Sequence, residues 1–156
     1  MKEADFSLEI KHSLESQFKD VHYKKIPDQP FNPSSFVRFN PDKSYDSYVV
    51  IGGCFSALEY KLHKSKNAFP LKDVSLIQRA SLMDVVDAGG NAYVVIGVRY
   101  ESVRKAFFIS ITDFLTYCRS CGRQSMPLEI MDTYPQVPWA GKGMWKLDEN
   151  LFKYKV

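Results

Sequence analysis

No stretch of these 156 residues reaches the roughly 18 consecutive apolar positions that a membrane helix needs. The opening Met1-Lys2-Glu3-Ala4-Asp5 carries charge where a secretory leader would carry an apolar core. Cysteine is scarce: three residues, an odd number, which argues against a disulfide framework and suits a reducing cytoplasm. Cys118 and Cys121 have the spacing of half a zinc site, but no second pair and no nearby histidine completes it, so the pair is read as incidental. The histidines His12, His22 and His63 share no spacing. His63, two beyond Lys61, is either a surface side chain or one that reaches the same cleft. Internal repeats and low-complexity tracts are missing. So are acids between positions 61 and 72, which hold Lys61, Lys64, Lys66 and Lys72. Such a run is either a solvated loop or the footprint of a phosphate backbone. The overall charge of +3 selects no partner by itself.

The length suits one domain over 1–156, and 45% hydrophobic residues suffice for a single core. Phe6, Ile10, Leu14 and Phe18 recur every four residues, which predicts a first amphipathic helix over about 5–19. Pro27, Pro30, Pro33 and Pro41 break the segment from Tyr23 to Ser44 into short extended pieces such as Ser35–Phe39. Residues 31–45 are read as an arm laid over the surface. Two runs rich in Val, Ile, Tyr and Phe, 45–51 and 54–62, flank Gly52-Gly53 and predict a hairpin. A basic loop over 63–72 follows, then a helix over 73–88 with Val74, Ile77, Ser81 and Val85 on its inner face, ended by Gly89-Gly90. Strands over Ala92–Val98 and 104–111 come next, then a helix with Asp113 in its first turn that runs to Gly122. The tail over 131–156 shows little periodicity and is expected to be irregular. Trp139 and Trp145, with Lys142 and Lys146, are read there as core or dimer packing, with base stacking as the alternative. Helices and strands interleave, which makes the fold α/β, with a mixed sheet flanked by helices.

The hairpin carries the chemistry. If Gly52-Gly53 is a two-residue loop, Asp46 falls directly opposite Glu59, with Cβ atoms about 4.5–5.5 Å apart. Like charges at that spacing destabilise a sheet, so two carboxylates there call for a shared cation. Lys61 projects from the same face as Glu59. A hard ion such as Mg²⁺ takes one or two carboxylates together with water and phosphate oxygens. It makes a coordinated water more acidic and neutralises charge on a phosphoryl oxygen, the requirements of phosphodiester hydrolysis. Lys61 would orient the water or offset charge in the transition state. The plainer reading of Glu59 and Lys61 is a solvent-exposed pair on a strand. Val50, Tyr48 and Phe55 on the same side as both acids speak against a fully exposed face. Gln78 lies beside Ile77 on the second helix. It is either bonded to backbone or aims its amide at a bound water or a phosphate.

These residues resemble the RecU-type Holliday-junction resolvases of the PD-(D/E)xK nuclease superfamily. Asp46, twelve intervening residues and Glu59-Tyr60-Lys61 are similar to the catalytic signature of that family. Lys66-Asn67-Ala68-Phe69-Pro70-Leu71-Lys72 followed by Gln78 is similar to its loop and helix-borne glutamine. Gly89-Gly90 before an apolar strand, Gly122-Arg123-Gln124-Ser125-Met126-Pro127 and Ile26-Pro27-Asp28-Gln29-Pro30 fit in order. The likeness covers about residues 20–130 and fades past 131.

The resemblance implies a restriction-endonuclease-like fold and a homodimeric endonuclease. Such an enzyme depends on Mg²⁺, with Mn²⁺ as substitute, and cuts branched DNA such as four-way junctions at two symmetric positions. By the same resemblance Asp46 and Glu59 hold metal, Lys61 assists the attacking water and Gln78 completes the site. Lys24, Lys25, Arg38, Lys64, Lys66 and Lys72 are expected at the DNA. Two features depart from the family pattern. Relatives carry an acid on the first helix just after a Phe, whereas Ser7 follows Phe6, so Glu9 or Glu15 would serve or the role is absent. The arm is also short where cellular relatives build a projecting stalk. A nuclease for other branched DNA and a DNA-binding relative without turnover are the alternatives.

Overall fold

A computed structural model describes residues 1–27 and 44–154. Its centre is a six-stranded mixed sheet in the order β1-β2-β3-β5-β6-β8. These strands are β1 (Val21–Lys25), β2 (Ser47–Ile51), β3 (Cys54–His63), β5 (Asn91–Tyr100), β6 (Val103–Ser110) and β8 (Gln136–Val137). Only β3 and β5 run parallel; the other neighbours are antiparallel. The parallel pair needs a crossover. It is supplied by β4 (Phe69–Pro70), a 3₁₀ turn over Leu71–Asp73 and α2 (Leu76–Asp87). β4 pairs with β7 (Ser125–Met126), which lies between α3 (Ile111–Ser120) and the short α4 (Leu128–Met131).

Both faces of the sheet are covered, which explains the unbroken apolar run of β5. One face buries Ala57, Val94, Ile96, Phe107 and Ile109 against Leu82 of α2 and Phe114 of α3. The other buries Leu58, Tyr60, Tyr93, Val95 and Phe108 against Phe6, Ile10 and Leu14 of α1 (Glu3–Gln17). Trp145, Leu147 and Phe152 of the tail complete that second layer.

Gly52 and Gly53 take φ of 57° and 79°, the left-handed pair that a type I′ hairpin turn demands. The ladder pairs Ile51 with Cys54 and runs in register to Ser47 and Leu58, as the glycine pair predicts. The strands over 92–98 and 104–111 extend a little further than expected at one or both ends, as β5 and β6.

Several expectations are corrected. β1 is an edge strand hidden in the proline-broken stretch, where His22 and Lys24 stay exposed and only one neighbour pairs with it. The helix expected over 73–88 starts at Leu76, because Ser75 caps it: its Oγ accepts from the Gln78 amide at 3.1 Å. Val74 is buried ahead of that cap, while Leu76 and Ile77 face outward, so the inner face is set by Leu82 with Met83, Val85 and Val86. The tail expected to be irregular carries β8, a hairpin of β9 (Trp139–Gly141) and β10 (Met144–Trp145), and a 3₁₀ turn over Glu149–Phe152. Trp139 and Trp145 pack on each other with ring centroids 4.9 Å apart. The extended piece over Ser35–Phe39 and most of the 31–45 arm lie outside the described residues.

Gly97 of β5 lets α1 approach the sheet. A Cβ there would meet three Phe6 ring carbons at 3.0 Å. That ring is fully buried and held edge-on by Tyr60 and Trp145, so it has little room to retreat. Gly97→Ala is expected to lower stability by about 1–3 kcal/mol in urea unfolding.

Candidate active site

The site forms where the β2–β3 ladder ends. Past Ser47 the Asp46 amide donates to the Leu58 carbonyl at 3.1 Å, and the Asp46 carboxylate takes the Tyr60 amide at 2.8 Å. The carboxylate thus occupies a ladder position at the corner where β2 parts from β3. Ile26, just past β1, donates its amide to the Asp46 carbonyl at 2.8 Å and fixes the corner from the far side.

Glu59 projects from the middle of β3 and is 1% exposed. Its Oε1 accepts from the Gln78 side-chain amide at 2.8 Å and lies 3.4 Å from Lys61 Nζ. Its Oε2 is buried with no hydrogen-bond partner. Burial comes first, then the nearby charge of Asp46, in pushing the Glu59 carboxyl up to about 8; Lys61 opposes the shift. The geometry therefore brings Asp46, Glu59, Lys61 and Gln78 together.

Gln78 serves two elements at once. Its Oε1 accepts from the Ser75 amide at 2.9 Å, completing the capping box of α2, while its Nε2 holds Glu59. Both readings of this residue meet in one side chain: it is bonded to backbone, and its amide faces the site. The carboxylate itself is what that amide holds.

The acids on α1 separate sharply. Glu9, one of the two candidates, is engaged across the sheet by Arg99 Nη2 at 2.6 and 2.9 Å and by Trp145 Nε1 at 3.3 Å. Glu15, the other, pairs with Lys11 at 4.0 Å on the exposed side of the helix. Neither reaches the acid pair. Glu3 does approach it: its Oε2 accepts the Leu62 amide at 3.3 Å, and it shares a cavity of about 200 Å³ with Asp46, Tyr23, Lys25 and Tyr60. Its position in the first turn of α1 was the available signal, but only the crossing of α1 over β3 reveals its use.

Hydroxyls line the wall behind Asp46. Tyr23 Oη and Tyr60 Oη lie 3.0 Å apart, and Ser47 Oγ donates to Tyr60 at 3.4 Å. Burial raises the Tyr60 hydroxyl well above the usual phenol range, so it stays protonated beside the acids.

Among the described residues no group of three or more His, Cys, Asp or Glu side chains converges that could hold a metal ion. The residues that could hold an ion are the two carboxylates Asp46 and Glu59. Two carboxylates suit a hard cation which keeps several of its waters, and the buried Glu59 Oε2, with no hydrogen-bond partner, fits such a role.

Of the expected DNA-contacting cations, Lys24, Lys25, Lys64, Lys66 and Lys72 are exposed, and Lys25 lines the Glu3–Asp46 cavity. Arg38 lies outside the described residues. His63 staples its loop, with Nε2 2.7 Å from the Asn67 carbonyl and its ring edge-on to Phe69.

No protein-family model matches the chain. It is 28% identical over 127 residues to the Holliday junction resolvase RecU of Lactiplantibacillus plantarum, covering 74% of this chain. The chain spans 60% of the length of that relative. The structure also resembles that of Archaeoglobus fulgidus Hjc, a Holliday junction resolvase, with a TM-score of 0.54 and 12% identity. That match covers 84% of this chain and 93% of the other. The resemblance to RecU-type resolvases read in the sequence is borne out, and so is the restriction-endonuclease-like α/β fold.

Because the folded Glu59 titrates above its ordinary 4.5, the native chain binds a proton that the unfolded chain releases between about 4.5 and 8. Without divalent ions, stability should fall as pH rises through that window. Glu59→Gln should flatten the fall and raise stability at pH 8 by about 1–3 kcal/mol. Urea unfolding in chelator at pH 5 and pH 8 checks both; a parallel pH dependence in the two proteins would remove Glu59 as its source.

Proposed function

We propose that the chain is a Mg²⁺-dependent, structure-selective DNA endonuclease that resolves four-way junctions as a homodimer. The observation that carries this reading is the buried Glu59 carboxylate with one unpartnered oxygen, beside Asp46 and flanked by Lys61 and Gln78. Asp46 and Glu59 would hold the ion. When bound, the ion would acidify the attacking water and offset charge on the scissile phosphate.

The chain's own groups do the remaining work. Gln78 holds Glu59 Oε1, which leaves Oε2 as the oxygen without a hydrogen bond. Lys61 offers an ammonium on the same face, suited to orient the water and to balance the charge that grows on the phosphoryl oxygens. Tyr60 donates its backbone amide to Asp46 and keeps that carboxylate at the corner. Glu3 stands beside Asp46 in the shared cavity, which favours turnover over a DNA-binding relative without it. The exposed Lys64 and Lys66 suit contact with the phosphate backbone. Cutting both strands symmetrically needs two copies of the site related by a two-fold axis, hence the dimer.

The test is cleavage of a synthetic four-way junction and a matched linear duplex, with and without Mg²⁺, alongside the mass in solution by light scattering. Selective, Mg²⁺-dependent cutting of the junction by a dimer is expected; equal cutting of both substrates would reject junction selectivity. Asp46→Asn should lower cleavage by about 10³-fold or more while DNA binding holds or tightens, since a charge that repels phosphate is gone. Unchanged cleavage would remove Asp46 from metal binding. Lys64→Ala with Lys66→Ala should weaken binding and reduce the log-log salt slope by about 2. A slope that does not move would place that loop away from the DNA.

A further inference from the structure

We propose that Arg104, over the ring of Trp139, forms a second contact for the DNA phosphate backbone, on the sheet face opposite Glu59. The inference deepens the nuclease reading and rests on it for the ligand. It concerns a part of the chain past residue 131 and a guanidinium that the catalytic arrangement does not use.

The patch is built as a stack. The Arg104 guanidinium carbon lies 5.1 Å from the Trp139 ring centroid, and that of Arg99 lies 5.6 Å from the same ring. Arg99 is neutralised, because Glu9 grips its Nη2 with both carboxylate oxygens. Trp145 donates its indole N–H to Glu9 and packs on Trp139, so the platform is fixed from below. Arg104 is different. It is exposed, and no carboxylate among the described residues lies within 4.0 Å of it. A guanidinium held over an indole and paired with no carboxylate keeps its planar fork of N–H donors for phosphate oxygens. The adjoining hairpin adds charge: Lys142 is exposed at its turn with φ of 54°, and Lys146 is exposed just past β10.

Register puts this patch within reach of the same DNA. Glu59 pairs with Val94, Arg99 lies five residues further along β5, and Arg104 is directly opposite Arg99 on β6. At about 3.3 Å per residue and about 4.8 Å per strand, Arg104 sits roughly 20 Å from Glu59. It lies toward the sheet end at which Lys61 and His63 close β3. Both faces open at the site corner, since Asp46 bonds Tyr60 and shares its cavity with Glu3 and Tyr23. A duplex laid over that end would meet Arg104 about five or six base pairs from the reacting phosphate.

The test is anisotropy of a labelled four-way junction against the full chain in chelator at several salt concentrations, with cleavage in Mg²⁺ followed separately. Arg104→Gln is expected to weaken binding about three- to tenfold and to reduce the log-log salt slope by about 1. Arg104→Lys, which keeps the charge, should keep the slope. Thermal melting confirms that the exposed substitution leaves the fold intact. An unchanged slope in Arg104→Gln overturns the proposal, as does an equal fall of slope in Arg104→Lys. A change of mass in Arg104→Gln with DNA affinity untouched assigns the patch to subunit contact and overturns it too. If the wild-type chain binds with the expected slope loss in Arg104→Gln but never cuts, the contact stands and the nuclease reading fails. If it cuts while the slope ignores Arg104, the reverse holds.

Discussion

Two carboxylates cannot both carry charge inside a sheet corner without something that compensates them, and this chain supplies only part of it. The rest falls to a cation or to the proton that Glu59 keeps up to about pH 8. Lys61 and Gln78 address one oxygen of Glu59, and the Tyr60 amide addresses one oxygen of Asp46. The second oxygen of Glu59 is left buried and unmatched. The rest of the structure can be understood as what holds that unfavourable arrangement in place. β3 is a central strand, hydrogen-bonded on both sides, so Glu59 cannot relax by moving its backbone. Apolar layers on both faces prevent the strand from twisting the carboxylate into solvent. Strain of this kind, at a site that local consistency would have eliminated, is where functional demand overrides folding preference.

What could be read in advance follows from which interactions are local. A pair of glycines with positive φ sets the hairpin register with no tertiary information, as far as Ser47 and Leu58. The expected Asp46–Glu59 pair lies one step past the end of that ladder, where the Asp46 carboxylate takes the Tyr60 amide instead. The apolar run of β5 announces a strand buried on both sides. The acid on α1 could not be read this way. Glu9 finds Arg99, ninety positions away, and only the path of α1 across the sheet decides that Glu3 instead reaches the end of β3. The start of α2 was legible in principle, since Ser75 and Gln78 have capping-box spacing, but the apolar Val74 drew the helix one turn too early. β1 escaped because an edge strand buries only one side and five residues among prolines give no clear alternation.

The tail shows the same division. Its sequence has little period because it is held by side chains of α1 rather than by its own pattern. Ser13 Oγ accepts the Trp145 amide at 2.8 Å, Gln17 Oε1 accepts the Leu147 amide at 2.8 Å, and the Gln17 amide donates to the Trp145 carbonyl. Two residues one helical turn apart thus stand in for strand neighbours. Tyr154 reaches further still, accepting from the Phe55 amide and donating to the Gly53 carbonyl at the hairpin turn.

This places α1 between two tasks. Its N-terminal turn delivers Glu3 to the acid corner, and its middle and C-terminal end anchor the tail through Glu9, Ser13 and Gln17. Gly97 permits the close approach on which both depend. A shift of the helix along its axis would therefore move the Glu3 carboxylate and the Trp139 platform together, because Glu9 joins Arg99 to the same rigid cylinder. The two faces of the sheet are chemically separate, one carrying Glu59 and the other the stacked arginines. They are mechanically one unit, and α1 is the element that makes them so.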